Sequence, residues 1–285
     1  MINVPQSSFS IVIQGRLSAK TELMVESINR EFSGLDAIII STWLEHTNYA
    51  EYLQSISRIP IKLSVSADPG SGYRKTQPKT FHNANRIILS SRLGLELVNS
   101  TFSIVIRSDL YFKNANVISV FNTYYNQQRM LALSLTTINP KIIPNLLYHV
   151  CDWLIIGNTK DLLRYFSIPF MDDSDCDIYS RTIKPNDSHD PGNNSRFMSE
   201  DYITSRGLSS LGLDLSHDFY WDSNWMEFKK WLSILKDKYI ITDLRTAGLS
   251  SLAYPKRHFF HDWKSFLFAD WLVLAGYKKN SLLFR

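Results

Sequence analysis

Arg107 and Asp109 stand one residue apart directly after the apolar segment 102–106, in the sequence TFSIVIRSDLYF. A carboxylate at the end of a buried strand can bind a divalent cation, which prefers oxygen ligands, or accept hydrogen bonds from ligand hydroxyl groups. An arginine two positions earlier can pair with a phosphate group or with the aspartate itself. The spacing indicates a ligand site, and the alternative is that Asp109 only caps the following turn.

A second group with ligand-binding chemistry lies in the sequence HVCDW, which contains His149, Asp152 and Trp153. A tryptophan face packs well on the apolar face of a sugar ring, and a carboxylate accepts hydrogen bonds from sugar hydroxyl groups. We therefore take these three residues as candidates for acceptor binding. The alternative is that Trp153 belongs to the core, because tryptophan is highly buried on average.

Two adjacent acids, Glu200 and Asp201, stand in the sequence SEDY at the start of a predicted helix over 198–212, with Ser199 as its N-cap. Neighbouring side chains on a helix point about 100° apart, so only one of the two can face a given site. A carboxylate in that position can take the proton of an attacking hydroxyl group. The alternative is that both acids only complement the helix dipole.

The segments that must position these side chains alternate between strand-like and helix-like patterns. Compact β-branched runs predict strands at 9–15, 36–43, 61–68 and 102–109. Apolar residues at helical spacing predict helices at 21–32, with Ser18 or Thr21 as N-cap, and at 83–98. Short apolar strands separated by helices are typical of a parallel sheet covered on both faces. We therefore predict an α/β fold with a mainly parallel sheet and a variable, helical C-terminal part.

The second half of the sequence has a less regular pattern. It predicts a strand at 130–138 and a strand, turn and helix within 149–166. The polar stretch 172–196 predicts a long loop, which in a compact domain is usually a lid. Without repeats or a clear linker, residues 1–285 form one predicted domain. It divides into a regular first part (1–110), a less regular second part (111–210) and a C-terminal extension (211–285).

Several polar residues follow the predicted strands at their carboxyl ends, where ligands bind in open α/β sheets. They are Gly15, Arg16, Asp68, Arg107, Ser108 and Asp109. A glycine after the first strand permits close approach of the backbone to a ligand. Asn85 and Arg86 open the predicted helix 83–98, whose N-terminus can favour an anion. We take Gly15, Arg16, Asn85, Arg86, Arg107, Ser108 and Asp109 as donor-binding candidates.

Composition restricts the class of protein. The chain has 285 residues, 44% hydrophobic and 20% charged, with a net charge of +4, which is too weak to argue for nucleic acid. Two cysteines do not make a disulfide framework, and a cytoplasmic location is the simplest expectation. No signal peptide is expected, and the apolar stretch 266–277 is too short to span a bilayer.

A series of short motifs, taken together and in order, resembles the WavE-type lipopolysaccharide synthesis family of bacterial glycosyltransferases. The motifs are SIVIQGRL, IIISTW, ADPG, NANRIILSSRLGL, IVIRSDL, HVCDWLIIG and SEDY. The resemblance extends from Phe9 to Gly207 and leaves the remaining C-terminal residues unmatched. It implies a GT-A-like nucleotide-sugar transferase fold.

In GT-A-like enzymes an Asp-x-Asp signature holds a divalent cation, Mn or Mg, against the donor diphosphate. The resemblance places Asp109 at the second aspartate, as the metal ligand, whereas Arg107 stands where the first would be. This departure leaves a second interpretation, in which Arg107 itself neutralises the phosphate charge. The resemblance also implies that Asp201 or Glu200 is the catalytic base.

The function implied is transfer of a sugar from a nucleotide-sugar donor to a lipopolysaccharide, O-antigen or capsule precursor, on the inner face of the inner membrane. A first alternative is a sugar-phosphate nucleotidyltransferase. Such an enzyme would carry a glycine-rich loop after the first strand, and QGRLSAKTE has one glycine. A second alternative is a nucleotide-binding protein without catalysis.

The C-terminal segment 254–285 is rich in aromatic and basic residues, which is typical of a peripheral contact with a membrane surface. The alternative is a core helix packed on the sheet with its lysines in solvent. His258 and His261 are further candidates for metal ligation in this segment.

Overall fold

The computed structural model describes residues 5–74, 77–176, 196–215, 217–218, 224–251 and 264–277. Its strands are β1 (Phe9–Gln14), β2 (Ala37–Trp43), β3 (Ile61–Ser66), β4 (Gly72–Arg74), β5 (Gln77–His82), β6 (Phe102–Arg107), β7 (Leu110–Phe112), β8 (Met130–Leu133), β9 (Leu154–Asn158), β10 (Tyr239–Thr242) and β11 (Leu249–Ser251). The α-helices are α1 (Ala19–Glu31), α2 (Thr47–Ile56), α3 (Ala84–Glu96), α4 (Asn116–Tyr124), α5 (Thr159–Phe166), α6 (Asp173–Cys176), α7 (Ser199–Ser210), α8 (Trp225–Lys238) and α9 (Phe268–Leu274).

Seven strands form the main sheet in the order β10-β8-β9-β6-β1-β2-β3. Strand β9 is antiparallel to its neighbours β6 and β8, and the other pairs in this sheet are parallel. The mainly parallel sheet predicted from the sequence is confirmed. Strand β10, from the predicted C-terminal extension, pairs with β8 and completes one edge of the sheet.

Helices cover both faces of this sheet. On one face α3 lies so close to β1 that a Cβ atom built on Gly94 would come 2.4 Å from a methyl carbon of Val12. Side chains alternate along a strand, so Phe9 points to the opposite face. There its ring packs edge-on against Phe121 of α4, with 5.8 Å between the ring centroids. The sheet is therefore buried on both sides, as its nearly continuous apolar strands indicate.

The predicted element boundaries need several corrections. The strand predicted to reach 109 ends at Arg107, the strand predicted to reach 138 ends at Leu133, and residues 149–153 are irregular. Ser18 is the N-cap of α1, one of the two predicted caps, and its side chain accepts a hydrogen bond from Lys20 N. Helix α7 begins at the predicted Ser199, but the capping position is Met198.

The described part of the C-terminal segment packs into the core. Phe266 and Trp271 are fully buried, and the indole of Trp271 donates a hydrogen bond to Leu235 O of α8 at 3.2 Å. Residues 264–277 therefore pack in the core, which was the alternative to a membrane contact. The basic pairs of this segment, His258 and His261 lie outside the described residues, as do residues 177–195 of the loop predicted over 172–196. The described start of that predicted loop differs from the prediction, because residues 173–176 form the short helix α6. Across the described ranges, no helix is both long enough and apolar enough to cross a bilayer.

Candidate active site

An open crevice of about 610 Å³ lies at the carboxyl ends of β1, β2, β3 and β6. It is lined by Gln14, Gly15, Arg16, Leu17, Ser18, Lys20, Trp43, Glu45, Asp68, Asn83, Arg86, Ile87, Arg107, Ser108 and Asp109. Of the seven donor-binding candidates from the sequence, this set contains six. The missing one is Asn85. Lys20 and Glu45, which line the crevice, were not among the candidates, because a charged residue near a helix start is common on any protein surface.

The loop after β1 is held in place by hydrogen bonds to its backbone from both sides. Gly15 has φ +100°, a conformation that favours glycine, and its N–H donates a hydrogen bond to Ser41 O at 3.0 Å. On the other side the hydroxyl of Ser108 donates to Arg16 O at 2.6 Å. The loop therefore presents its backbone and the exposed Arg16 side chain at a fixed position of the crevice wall.

Arg107 and Asp109 form a bidentate ion pair in the crevice. Arg107 Nη2 lies 2.8 Å from Asp109 Oδ2, and Nε lies 3.1 Å from Oδ1. The guanidinium also lies over the ring of Trp153, 4.1 Å from its centroid. Burial lowers the pKa of Arg107, but the charge of Asp109 and its hydrogen bonds outweigh this effect and the pKa is raised. A permanently charged, oriented guanidinium therefore faces the crevice.

Asp109 pairs with Arg107 but keeps the capacity to bind a metal ion. Each of its carboxylate oxygens accepts one hydrogen bond from Arg107 and has a further lone pair. Within the part of the chain that the structure describes, no group of three His, Cys, Asp or Glu side chains is arranged to hold a metal. A cation bound mainly by diphosphate oxygens needs only one or two carboxylates, so the metal role of Asp109 stays a prediction.

A second ion pair, between Arg86 and Asp68, stands on the opposite side of the crevice. Arg86 Nε lies 2.8 Å from Asp68 Oδ1, and Nη2 lies 2.5 Å from Oδ2. The hydrogen bond from Arg86 holds the pKa of Asp68 below its usual value. Arg86 is a third exposed and lines the crevice, so its charge remains accessible to a ligand.

Asn85 requires a correction, because its side chain binds protein backbone. Asn85 Nδ2 donates to Met171 O at 3.0 Å, and its Oδ1 accepts from Met171 N at 2.8 Å. The two bonds attach the start of α3 to the segment after α5. The donor-binding role predicted for Asn85 therefore does not agree with the geometry, which gives this amide a structural function.

The acceptor-side candidates lie directly beside the Arg107 ion pair. The N–H of Arg107 donates to Trp153 O at 3.0 Å, which joins β6 to the irregular segment 149–153. Asp152 is buried, and burial followed by the charge of Glu200 raises its pKa to about 7, against the lowering effect of Arg107. Trp153 is also buried, so the core position considered for it is confirmed, and one face of its ring is covered by Arg107.

Glu200 belongs to this acid cluster. Its carboxylate lies 3.9 Å from His149 Nε2, and its side chain is 19% exposed. It is also close enough to Asp152 for the two charges to interact. The first turn of α7 therefore brings one carboxylate to the acceptor-side segment.

The neighbouring Asp201 points elsewhere. It is completely buried, and its Oδ2 lies 3.0 Å from His217 Nε2. Its Oδ1 accepts a hydrogen bond from Met198 N at 2.6 Å and so caps the start of α7. Burial raises the pKa of Asp201, and the hydrogen bond with His217 opposes this. Asp201 therefore cannot reach an acceptor hydroxyl in this arrangement. This corrects the prediction that Asp201 is the catalytic base and leaves Glu200, the other residue predicted for that role. His217 was not predicted, since a single histidine in LDLSHD carries no distinguishing spacing.

Comparison with known proteins gives a family match and distant structural similarities. A family model described as WavE lipopolysaccharide synthesis matches residues 9–282, which extends the resemblance beyond Gly207. No curated protein matches the chain. The predicted α/β class, with a mainly parallel sheet and helices on both faces, is confirmed. The GT-A-like assignment stays a prediction.

Three solved structures illustrate the structural similarity. The 4-diphosphocytidyl-2C-methyl-D-erythritolsynthase from Anaerococcus prevotii DSM 20548 is 12% identical, with 59% of this chain and 81% of that chain covered and a TM-score of 0.38. The mannosyltransferase PcManGT from Pyrobaculum calidifontis, in complex with GDP-Man and Mn²⁺, is 9% identical, covering 56% and 47%, with a TM-score of 0.39. Mouse xyloside xylosyltransferase 1 is 10% identical, covering 53% and 67%, with a TM-score of 0.34.

Proposed function

The chain belongs to the WavE lipopolysaccharide synthesis family, and from that premise we propose that it is a glycosyltransferase. It transfers a sugar from a nucleotide-sugar donor to a lipopolysaccharide, O-antigen or capsule precursor. The observation that carries the proposal is the contact between two sites of different chemistry. A crevice with oriented guanidinium groups meets the acid cluster, Asp152 and Glu200, at the stacked pair Arg107 and Trp153.

The donor diphosphate binds in the crevice against Arg107, Arg86 and Arg16. Asp109 occupies two of the five N–H donors of the Arg107 guanidinium, and the others can donate to phosphate oxygens. Charge-assisted hydrogen bonds of this kind are about twice as strong as neutral ones. The backbone around Gly15 and the side chain of Ser108 shape the wall for the nucleoside. The position of these groups at the carboxyl edge of the sheet supports this assignment.

Glu200 serves as the general base. The acceptor hydroxyl oxygen forms a bond to the anomeric carbon while the bond between that carbon and the phosphate oxygen breaks. The hydroxyl proton passes to the Glu200 carboxylate, and the nucleoside diphosphate leaves with the electron pair. Asp152 and His149 hold the acceptor, and Asp152, whose pKa is raised to about 7, can donate a hydrogen bond to an acceptor oxygen when it is protonated.

Arg107 supplies the positive charge that a metal ion would supply to the leaving diphosphate. A divalent cation needs oxygen ligands, and in this structure the carboxylate of Asp109 forms an ion pair with Arg107. A guanidinium fixed by Asp109 and by the ring of Trp153 is pre-organised for the charge that develops on the leaving group. We therefore expect donor binding that does not depend on Mn²⁺ or Mg²⁺.

The test is hydrolysis of a panel of nucleotide sugars, with UDP, GDP, dTDP and CMP donors, measured as release of free nucleotide in the presence of EDTA. The proposal expects slow release from one donor class, because water replaces the absent acceptor. The same release must be lost in Arg107→Ala and retained in Arg58→Ala, an exposed arginine before β3 at the other end of the sheet. Absence of turnover with every donor would contradict the proposal.

The runner-up is a sugar-phosphate nucleotidyltransferase. The observation that favours it is the loop after β1, where both Arg16 and Lys20 line the crevice, as expected for a loop that binds a triphosphate. Such an enzyme releases pyrophosphate when it is given a nucleoside triphosphate and a sugar phosphate. Pyrophosphate release without nucleotide-sugar hydrolysis would select this alternative. Nucleotide binding without either reaction would select the non-catalytic alternative.

The family supports our proposal for the acceptor and the location. If the acceptor is a lipid-linked lipopolysaccharide precursor, the enzyme works at the inner face of the inner membrane. Peripheral contact through 254–285 remains a prediction for the parts of that segment outside 264–277. It can be measured by binding to anionic vesicles at low and high salt, with Lys256, Arg257, Lys278 and Lys279 changed together to glutamine.

A further inference from the structure

Two aromatic rings at the start of α8 form a shallow groove outside the crevice. Trp225 is 65% exposed and lies stacked on Phe228, with 5.4 Å between the ring centroids and 11° between the ring planes. Pro144, Asn145 and Asn224 complete the groove, which encloses about 220 Å³. Exposed apolar surface concentrated at a concave site marks a place where another molecule binds.

Local folding does not explain these rings. Asn224 alone caps α8, because its Oδ1 accepts hydrogen bonds from Met226 N at 2.9 Å and Glu227 N at 3.0 Å. Helix α8 reaches the core through Trp231 and Leu235, which are fully buried further along the helix. The cap and the core contacts of α8 are therefore formed without Trp225, whose ring is left available at the surface.

The groove has the chemistry of a site for one sugar ring. A pyranose presents an apolar face of C–H groups, which packs on the negative face of an indole ring, and an edge of hydroxyl groups. Asn145 and Asn224, which line the groove, offer side-chain amide groups that can form hydrogen bonds with that edge. The volume is below the range of about 300–1,000 Å³ typical of drug-sized ligands, which suits a single sugar unit.

A short chain of contacts joins this groove to the acid cluster. Glu227, between the two aromatic residues, accepts a hydrogen bond from the hydroxyl of Tyr148 at 2.5 Å. Tyr148 is fully buried and has φ +59°, a left-handed conformation that is uncommon for a residue with a side chain. The next residue is His149, whose Nε2 lies 3.9 Å from the Glu200 carboxylate. The groove is therefore attached rigidly to the acceptor side of the site.

We propose that the Trp225–Phe228 groove binds a sugar unit of the acceptor glycan, separate from the unit that is glycosylated. This inference rests on the proposed function, since it extends the acceptor site outward from Glu200. The enzyme would then recognise a glycan by at least two of its sugars, which gives specificity for a particular stage of chain growth.

The charged side chains near the groove do not block a sugar. The carboxylate of Glu227 is only 12% exposed and accepts the hydrogen bond from Tyr148. Lys230 lies 3.7 Å from that carboxylate and is paired with it. Lys229 Nζ lies 4.9 Å from the centroid of the Trp225 ring, and an exposed cation of this kind moves aside at small cost when a sugar stacks on the ring.

The experiment measures binding of the lipid-free oligosaccharide that mild acid releases from lipopolysaccharide. Saturation-transfer NMR identifies the bound sugar, and the quenching of tryptophan fluorescence gives the affinity. Trp225→Ala should weaken binding at least tenfold, while Trp225→Phe, which keeps a ring, should retain most of it. Phe170→Ala is the matched control, because Phe170 is an aromatic residue that is 41% exposed elsewhere on the surface, and it should bind as the unmodified protein does.

Donor hydrolysis without acceptor separates this inference from the proposed function. It should be the same in Trp225→Ala and in the unmodified protein, because the groove does not touch the donor crevice. Absence of donor hydrolysis by the unmodified protein would contradict the proposed function. Glycan binding is a separate measurement and tests only the groove. Equal oligosaccharide binding by Trp225→Ala and the unmodified protein, or no binding by either, would overturn the inference. So would Trp225-dependent binding to phosphatidylglycerol vesicles in place of the oligosaccharide, which would assign the groove to lipid.

Discussion

The donor crevice and the acid cluster beside it use the same residue type in opposite ways. Asp68 and Asp152 lie on either side of Arg107, but Arg86 lowers the pKa of Asp68 whereas burial raises the pKa of Asp152 to about 7. In the crevice Asp68 and Asp109 each have an arginine partner. In the cluster the buried Asp152 lies near a second acid, the partly exposed Glu200.

This difference separates positioning from chemistry. Paired, accessible charges cost little and orient guanidinium groups for an anionic ligand. Buried acids with raised pKa are costly, and they are typical of sites that move protons. The two regions meet at Arg107, which pairs with Asp109 on the crevice side and stacks on Trp153 on the other.

The largest expected effect concerns proton transfer by the acid cluster. Glu200→Gln removes the proposed base and should lower the rate of sugar transfer by a factor of about 10² to 10⁴, with donor affinity unchanged. The measurement is steady-state transfer alongside donor binding by calorimetry. The matched control is Glu96→Gln, an exposed acid at the end of α3.

Asp201→Asn sharpens the same test, because Asp201 is buried against His217. It should destabilise the protein while the folded fraction retains turnover. Full activity in Glu200→Gln together with lost activity in a well-folded Asp201→Asn would restore the base to Asp201 and contradict the comparison.

The next effect concerns stability and pH. With a pKa of about 7 in the folded protein against an ordinary value of 3.8, Asp152 takes up a proton on folding between these two values. Between pH 4 and pH 7 the folded state therefore binds more protons, so stability falls as pH rises through this window. Asp152→Asn should remove that fall. Compared with the unmodified protein, the variant should gain on the order of 2–4 kcal/mol of stability between pH 4 and pH 8.

Asp68→Asn provides the opposite sign in the same experiment. The pKa of Asp68 is lowered in the folded state, so its contribution is present at neutral pH and is lost as pH falls through the folded pKa. Urea denaturation measures both variants, across pH 4 to 8 for Asp152→Asn and down to about pH 2 for Asp68→Asn, because the Asp68 contribution is lost below the ordinary pKa of 3.8. The same pH slope for both would show that the two carboxylates do not differ as described.

The smallest effect concerns Asn85. Asn85→Ala loses two hydrogen bonds to the backbone of Met171 and should destabilise the protein by about 1–3 kcal/mol. Nucleotide affinity should remain within twofold of the unmodified value. A large loss of nucleotide affinity with unchanged stability would return Asn85 to the donor site.

The donor side was more predictable from the sequence than the acceptor side, for a physical reason. Short apolar strands such as 102–106 and the turn at Gly15 are local signals, and parallel strands bring their carboxyl ends together at one edge. The prediction that Arg107 and Asp109 lie in a shared crevice therefore agreed with the structure. The roles of the individual residues in that crevice remain proposals.

The acceptor side depends on contacts between distant segments. Whether Glu200 or Asp201 faces the site is decided by a partner sixteen positions away, His217, which no local pattern identifies. Strand β9 is apolar like its neighbours, so its antiparallel direction could not be read from composition. The structural role of the Asn85 amide could not be predicted, because its contact with Met171 joins segments 86 residues apart. From the sequence alone it was therefore taken as a donor-binding residue.

The most direct test of the account is whether Arg107 binds a nucleoside diphosphate without a metal. Isothermal titration of UDP, GDP and CDP is performed in EDTA with the unmodified protein, Arg107→Ala and the control Arg58→Ala. The account predicts binding of at least one nucleotide by the unmodified protein and by Arg58→Ala, and affinity about 10- to 150-fold weaker in Arg107→Ala, equivalent to a charge-assisted hydrogen bond of roughly 1.5–3 kcal/mol. Binding that appears only when Mn²⁺ or Mg²⁺ is added, or that is unchanged in Arg107→Ala, would contradict it.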